Sequence, residues 1–188
     1  MTLEDLNALD PARAEQELVR CCGARRWASE MAARRPFRDL QAVERDAANI
    51  WRSLDEADWL EAFAAHPRIG DSPGVEGSGA AERAGRTGQA DPVRAPSDWS
   101  AREQAGMDTA PDALRQRLAA ANREYEQRFG FIYIVCATGK TAEEMLAIAE
   151  RRLKSSREEE LVTAVDEQWR ITRIRLGQLI GGTEPLQI

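Results

Sequence analysis

Only one stretch of this chain, Phe131-Ile132-Tyr133-Ile134-Val135-Cys136-Ala137, has the apolar, β-branched composition of a buried strand, and no second run exists to pair with it. A sheet therefore has nothing to be built from. A lone strand leaves its backbone N–H and C=O groups without a ladder, so this segment either pairs with nothing regular or offers those groups to a ligand. We keep the second possibility, and look for the core among helices.

Helix signals account for most of the remaining chain. Thr2 and Asp10-Pro11 have the form of successive helix starts, with Asp10 as the cap and Pro11 at the first helical position, where its missing N–H costs nothing. From Asp39 the apolar positions Leu40, Val43, Ala47, Ile50, Trp51 and Leu54 recur at three- and four-residue steps, one stripe of an amphipathic helix. A shorter helix over 57–64, with Trp59, Leu60 and Phe63, is expected to end at His66-Pro67, because the residue before a proline is pushed out of the α region. A strong helix from Pro111 to Phe129 puts Leu114, Leu118, Ala121 and Tyr125 on one face and stops at Gly130. Thr141 with Glu144 and Ser156 with Glu159 are capping-box patterns that open two more. The last of these runs to about residue 180 ahead of Gly181-Gly182, with Leu161, Val165, Ile171 and Ile174 among its expected buried positions. Between Ser72 and Ser97 the composition shifts to Gly, Ala, Pro, Ser and charges without apolar periodicity, which reads as a mobile loop over 72–97.

Charge and cysteine usage exclude several classes. The 32 acidic against 26 basic residues give a formal net charge of −6, the wrong sign for a nucleic-acid partner. No run of about 18 apolar residues could cross a bilayer. Acids at Glu4 and Asp5 where a secretory signal needs basic residues, and a tail that is no recognisable address, give the expectation of a cytoplasmic protein. Cys21, Cys22 and Cys136 form no spaced pair, so neither a disulfide framework nor a zinc site is supported. Gly139-Lys140-Thr141 ends like a phosphate loop but has Ile134 where the loop needs glycine, and Gly77-Ser78-Gly79 meets Glu82 where a dinucleotide motif needs its third glycine.

His66 is the only histidine, and histidine is the side chain whose ordinary pKa suits proton transfer near neutrality. A lone histidine is often just a packed helix-end residue. Here it opens the dense turn His66-Pro67-Arg68-Ile69-Gly70-Asp71, rigid irregular backbone of the kind that carries functional groups, which favours catalysis. Metal ligation is disfavoured, since one histidine without a spaced acidic or cysteine partner cannot close a coordination shell. Ser100-Ala101-Arg102-Glu103 matches a capping box, and a helix start also presents free N–H groups to an anion, so a structural and a ligand-binding role can hold together, with Gln104 and Gly106 close behind.

Taken together, Arg35-Pro36-Phe37, His66-Pro67 after a helix, Ser100-x-x-Glu103-Gln104 with Gly106, the run from Phe129 to Ala137, Arg152-Leu153, and Glu167-Gln168 followed by Ile171, Ile174, Arg175 and Leu176 resemble the OHCU decarboxylase family of urate catabolism. The resemblance covers nearly the whole chain except the loop, which is longer than the family usually has, and Ser155 stands where the family commonly has Asn. It implies an all-α fold, a typical homodimer, and conversion of 2-oxo-4-hydroxy-4-carboxy-5-ureidoimidazoline to (S)-allantoin and carbon dioxide without metal or organic cofactor. It implies His66 as the catalytic residue, and we expect Glu103 to share the catalysis by orienting the imidazole or the ring and helping to deliver a proton. Pro67, the stretch Ser100, Ala101, Arg102, Glu103 and Gln104, and the backbone of Tyr133, Ile134, Val135, Cys136 and Ala137 would hold the substrate. The expectation is thus a single compact multi-helix domain over 1–188, all-α with one buried extended segment, acting on a small ureidoimidazoline and binding neither nucleic acid nor membrane. Two other readings remain, a noncatalytic helical interaction module and a decarboxylase of a related imidazolone acid.

Overall fold

In a computed structural model of the chain, residues 1–69 and 110–181 are described, and they hold eight helices and no strand. They are α1 (Leu3–Ala8), α2 (Pro11–Cys22), α3 (Arg25–Ala33), α4 (Leu40–Ser53), α5 (Glu56–Ala64), α6 (Asp112–Phe129), α7 (Ala142–Arg152) and α8 (Arg157–Leu179). The loop expected over 72–97 lies outside the described residues, as does the stretch from Ser100 to Gln104.

Within the described residues, the caps read from sequence are the caps observed. Thr2, Thr141 and Ser156 each form a reciprocal capping box, while Asp10 and Asp39 accept the N–H groups of Arg13 and Ala42. Gly130, at φ 81°, ends α6 in the left-handed conformation that glycine adopts without strain. On α4 the expected stripe is buried with one exception, Leu40, which sits at the first turn and is 42% exposed. Helix α3 has no side-chain cap, and nothing in the local sequence marks its start.

Two apolar clusters share α8, which at ~1.5 Å per residue is about 35 Å long. Leu6, Leu18, Trp27, Met31, Val43, Ile50 and Trp51 pack with its carboxy-terminal residues Leu176 and Leu179. Phe63, Leu118, Tyr125, Phe129, Met145 and the segment after Gly130 pack with Ala164 and Ile171 further up the same helix. The face that α8 turns inward is more polar than its sequence suggests. Ile171 is buried, but Leu161, Val165 and Ile174 only flank the core, while Glu160, Gln168, Thr172 and Arg175 occupy the sealed line.

Residues 131–137, buried except for the half-buried Ile132, lack helical structure, yet they pair with no strand among the described residues, so the strand that propensity favours does not form. Side chains replace the missing ladder. Arg152 donates to the Ile134 carbonyl at 2.8 Å, Glu167 accepts the Cys136 N–H at 2.7 Å, and Lys140 Nζ donates to the Cys136 carbonyl at 2.6 Å.

Candidate active site

His66 follows directly on α5. Its backbone N–H donates to the Phe63 carbonyl at 3.0 Å in the last turn, and Pro67 prevents any continuation. A close approach of α2 to α5 holds this end. A Cβ on Gly23, the left-handed residue after α2, would come within 2.7 Å of the Ala65 Cβ and 3.0 Å of the Ala62 carbonyl oxygen, so only glycine lets the two helices meet here. The flanks of His66 reach the cluster that contains the extended segment: the Phe63 ring lies 5.5 Å from that of Phe131, and the Ile69 carbonyl accepts a hydrogen bond from Asn122 on α6.

The imidazole itself faces α8. Nδ1 lies 3.5 Å from an Arg175 guanidinium nitrogen, and Gln168 on the same helix favours the protonated ring. Gln168 and Arg175 are seven residues apart, two turns along one face of the helix. His66 as a whole is half-buried, but its Nε2 has no solvent contact and no partner. Burial and, after it, the positive charge of Arg175 pull the imidazole from 6.5 down to about 3, against an upward pull from Gln168. The ring is therefore neutral at physiological pH, with a lone pair available.

A second polar cluster lies higher on α8. Arg152 and Glu160 form a buried ion pair, Glu160 also takes the Tyr125 hydroxyl, and the Arg152 guanidinium sits over the rings of Tyr125 and Tyr133. Desolvation pushes both phenols above their usual range. This cluster holds the Ile134 carbonyl, and Tyr133 adds a hydrogen bond to the Met145 carbonyl at 3.0 Å.

The expectation that the peptide groups of 133–137 are available to a ligand needs correction for one edge. The Ile134 carbonyl and both peptide groups of Cys136 are taken by Arg152, Glu167 and Lys140, and the Ala137 carbonyl accepts from the Lys140 N–H. In extended chain successive residues turn their N–H groups to opposite edges, and among the described residues no partner is present for the N–H groups of Tyr133, Val135 and Ala137. Of the expected site residues, His66, Pro67 and Tyr133 to Ala137 are thus described, with no hydrogen bond linking His66 to that segment. Ser100, Ala101, Arg102, Glu103 and Gln104 lie outside the described residues. Sequence reasoning gave no role to Arg175, Gln168 or Glu167, because residue type and spacing do not say which polar side chains meet across the fold. Among the described residues no group of three or more His, Cys, Asp and Glu is arranged to hold a metal ion, and no helix is long and apolar enough to cross a membrane.

Residues 7–177 match the family model described as OHCU decarboxylase. The chain belongs to the OHCU decarboxylase family. It is 36% identical over 166 residues to the uric acid degradation bifunctional protein TTL of Arabidopsis thaliana, covering 88% of this chain and 47% of that one. Against the bifunctional protein PucL of Bacillus subtilis it is 30% identical, over 95% of this chain and 33% of the relative, so the chain spans half or less of these two proteins. It is 25% identical to the 2-oxo-4-hydroxy-4-carboxy-5-ureidoimidazoline decarboxylase of Halalkalicoccus jeotgali, over 95% of this chain and 92% of that one. Among solved structures it superposes with a TM-score of 0.68 and 32% identity on an OHCU decarboxylase crystallised in the presence of (S)-allantoin, covering 87% of this chain and 96% of that one. The all-α fold expected from the resemblance is what the described residues form.

Proposed function

We propose that this chain decarboxylates 2-oxo-4-hydroxy-4-carboxy-5-ureidoimidazoline to (S)-allantoin and carbon dioxide in urate catabolism, with His66 as the catalytic acid-base and no metal or organic cofactor. The observation that carries this reading is the Arg175 guanidinium 3.5 Å from a neutral imidazole within the family's fold. A substrate bearing a hydroxyl and a carboxylate on one carbon presents complementary groups. The carboxylate suits Arg175, whose planar cation recognises it in two-pronged fashion, and the hydroxyl suits the lone pair on Nδ1. Carboxylate binding would also offset the positive charge that depresses His66, returning the ring towards a pKa useful for proton transfer.

The chemistry balances without an external electron acceptor. When the bond to the carboxylate breaks, its electron pair moves into the adjacent ring imine. The imine nitrogen and the ureido-bearing carbon each gain a proton, and the hydroxyl gives one up as its oxygen becomes the carbonyl. Glu103, within the stretch that the resemblance implies in substrate binding, would orient the imidazole or the ring and help protonate one face. The N–H groups of Tyr133, Val135 and Ala137 supply a row of donors suited to the ureido and ring carbonyls. Residues 1–188 would act as a single domain, as a homodimer in the cytoplasm.

The test is to generate the substrate in place by hydrolysing 5-hydroxyisourate and to follow allantoin by absorbance and circular dichroism. Accelerated, optically active product that is insensitive to a chelator is expected. Racemic product at the buffer rate would sink the reading in favour of a noncatalytic helical module, and turnover of only other imidazolone acids would reassign the substrate.

A further inference from the structure

His66 Nε2 and the side-chain oxygen of Gln168 are both sealed from solvent and both lack a hydrogen-bond partner of good geometry, a costly condition for buried polar atoms. Both belong to one junction: Gln168 bonds the Cys22 carbonyl beside the Gly23–Ala65 contact that precedes His66, Arg175 seven residues further along α8 lies 3.5 Å from the ring, and Gln168 favours the protonated ring, the effect of an acceptor rather than a donor. The orientation of the amide is fixed independently. Its nitrogen donates to the Cys22 carbonyl at 3.0 Å and to the Thr172 hydroxyl at 3.3 Å, and since a carbonyl can only accept, the NH2 end must face α2. The oxygen is left on the other side. Arg175 settles the ring from the opposite direction: a guanidinium only donates, so Nδ1 beside it must carry the lone pair, and a neutral imidazole then has its one proton on Nε2.

We infer that Gln168 is a positioning residue that accepts the Nε2–H of His66 and holds the neutral ring in the tautomer whose bare Nδ1 faces Arg175. Gln168 is itself fully buried and braced against the end of α2, immediately before the Gly23 contact that fixes the end of α5. Ring and acceptor are therefore held by the same three-helix junction. The catalytic consequence rests on the proposed function, in which Nδ1 handles the substrate proton.

Because His66 is the only histidine, protein labelled with 15N-histidine gives a single pair of ring nitrogens, and their two-bond couplings to the carbon-bound protons report the tautomer without substrate. A protonated Nε2 and bare Nδ1 are expected in the wild type. Gln168→Met removes the acceptor at similar volume, and should mix the tautomers and lower kcat roughly 10- to 100-fold, the range seen when partners that orient functional histidines are lost, with KM little changed. Gln168→Glu keeps an acceptor, and should hold the tautomer and add an acid limb to the kcat/KM profile as the carboxylate lifts the ring's pKa. A proton on Nδ1 in the wild type, or an unaltered tautomer in Gln168→Met, would overturn the inference even if either variant folds poorly, since the first result needs no variant. Absence of turnover by a wild-type protein that shows the expected tautomer would instead remove the proposed function alone.

Discussion

Helix α8 carries two buried polar clusters that solve opposite electrostatic problems. Around Glu160, opposite charges meet: the carboxylate neutralises Arg152 and takes the Tyr125 hydroxyl, and the pair fastens the Ile134 carbonyl. Around Gln168 and Arg175, a cation meets a ring that it discourages from becoming a cation. In the first cluster the Coulomb attraction is consumed in holding the extended segment, so substitution there should read out as lost stability. In the second the lone pair of His66 is preserved, so substitution should read out as lost chemistry. The lesson is that burial of polar groups does not by itself mark a site. The sign of the interaction between them separates a brace from a reactive pair.

The largest expected effect tests the reactive pair. His66→Asn should lower kcat by about two to four powers of ten, the usual share of general acid-base catalysis, with the helical circular dichroism spectrum kept. Wild-type turnover in that variant would erase the contrast. The brace is tested next: Glu160→Ala leaves Arg152 buried without its counterion and should cost about 3–5 kcal/mol in urea unfolding, whereas Arg152→Met combined with Glu160→Leu should cost far less. Equal losses in the two variants would mean that the pair's charge is irrelevant. Arg175→Met removes a charged hydrogen-bond donor worth about 1.5–3 kcal/mol, and should lower kcat/KM by roughly 10- to 150-fold while the histidine titration moves upward from about 3. An unmoved titration would detach Arg175 from the ring.

The smallest effect is a pH dependence of stability. With its folded pKa below its unfolded value of 6.5, His66 takes up a proton more readily in the unfolded chain. Its contribution is therefore complete above pH 6.5 and is lost as the pH falls from there towards about 3. Melting temperatures between pH 7 and pH 4 should fall less steeply in His66→Asn than in the wild type. An identical slope would show that the ring is already solvated in the folded state.

The helices were legible because their signals are local. Thr2, Asp10, Asp39, Thr141 and Ser156 each satisfy an orphan N–H three residues away, and Pro67 and Gly130 end helices through their own backbone geometry. His66 stood out as the only residue of its type, and residues 131–137 as a strand composition with no partner. What sequence pattern could not supply was the direction of long-range pairing. Helical spacing puts Gln168 and Arg175 three and four residues from Ile171, but it does not say what a polar side chain on that stripe would pair with. Only packing brings Arg152 to Glu160, the end of α5 to Gln168 and Arg175, and the Cys22 carbonyl to the amide that sets the histidine's environment. A polar group can be buried once its partner is in place, and that partner lies from eight to 146 residues away along the chain, so the decision belongs to the tertiary structure.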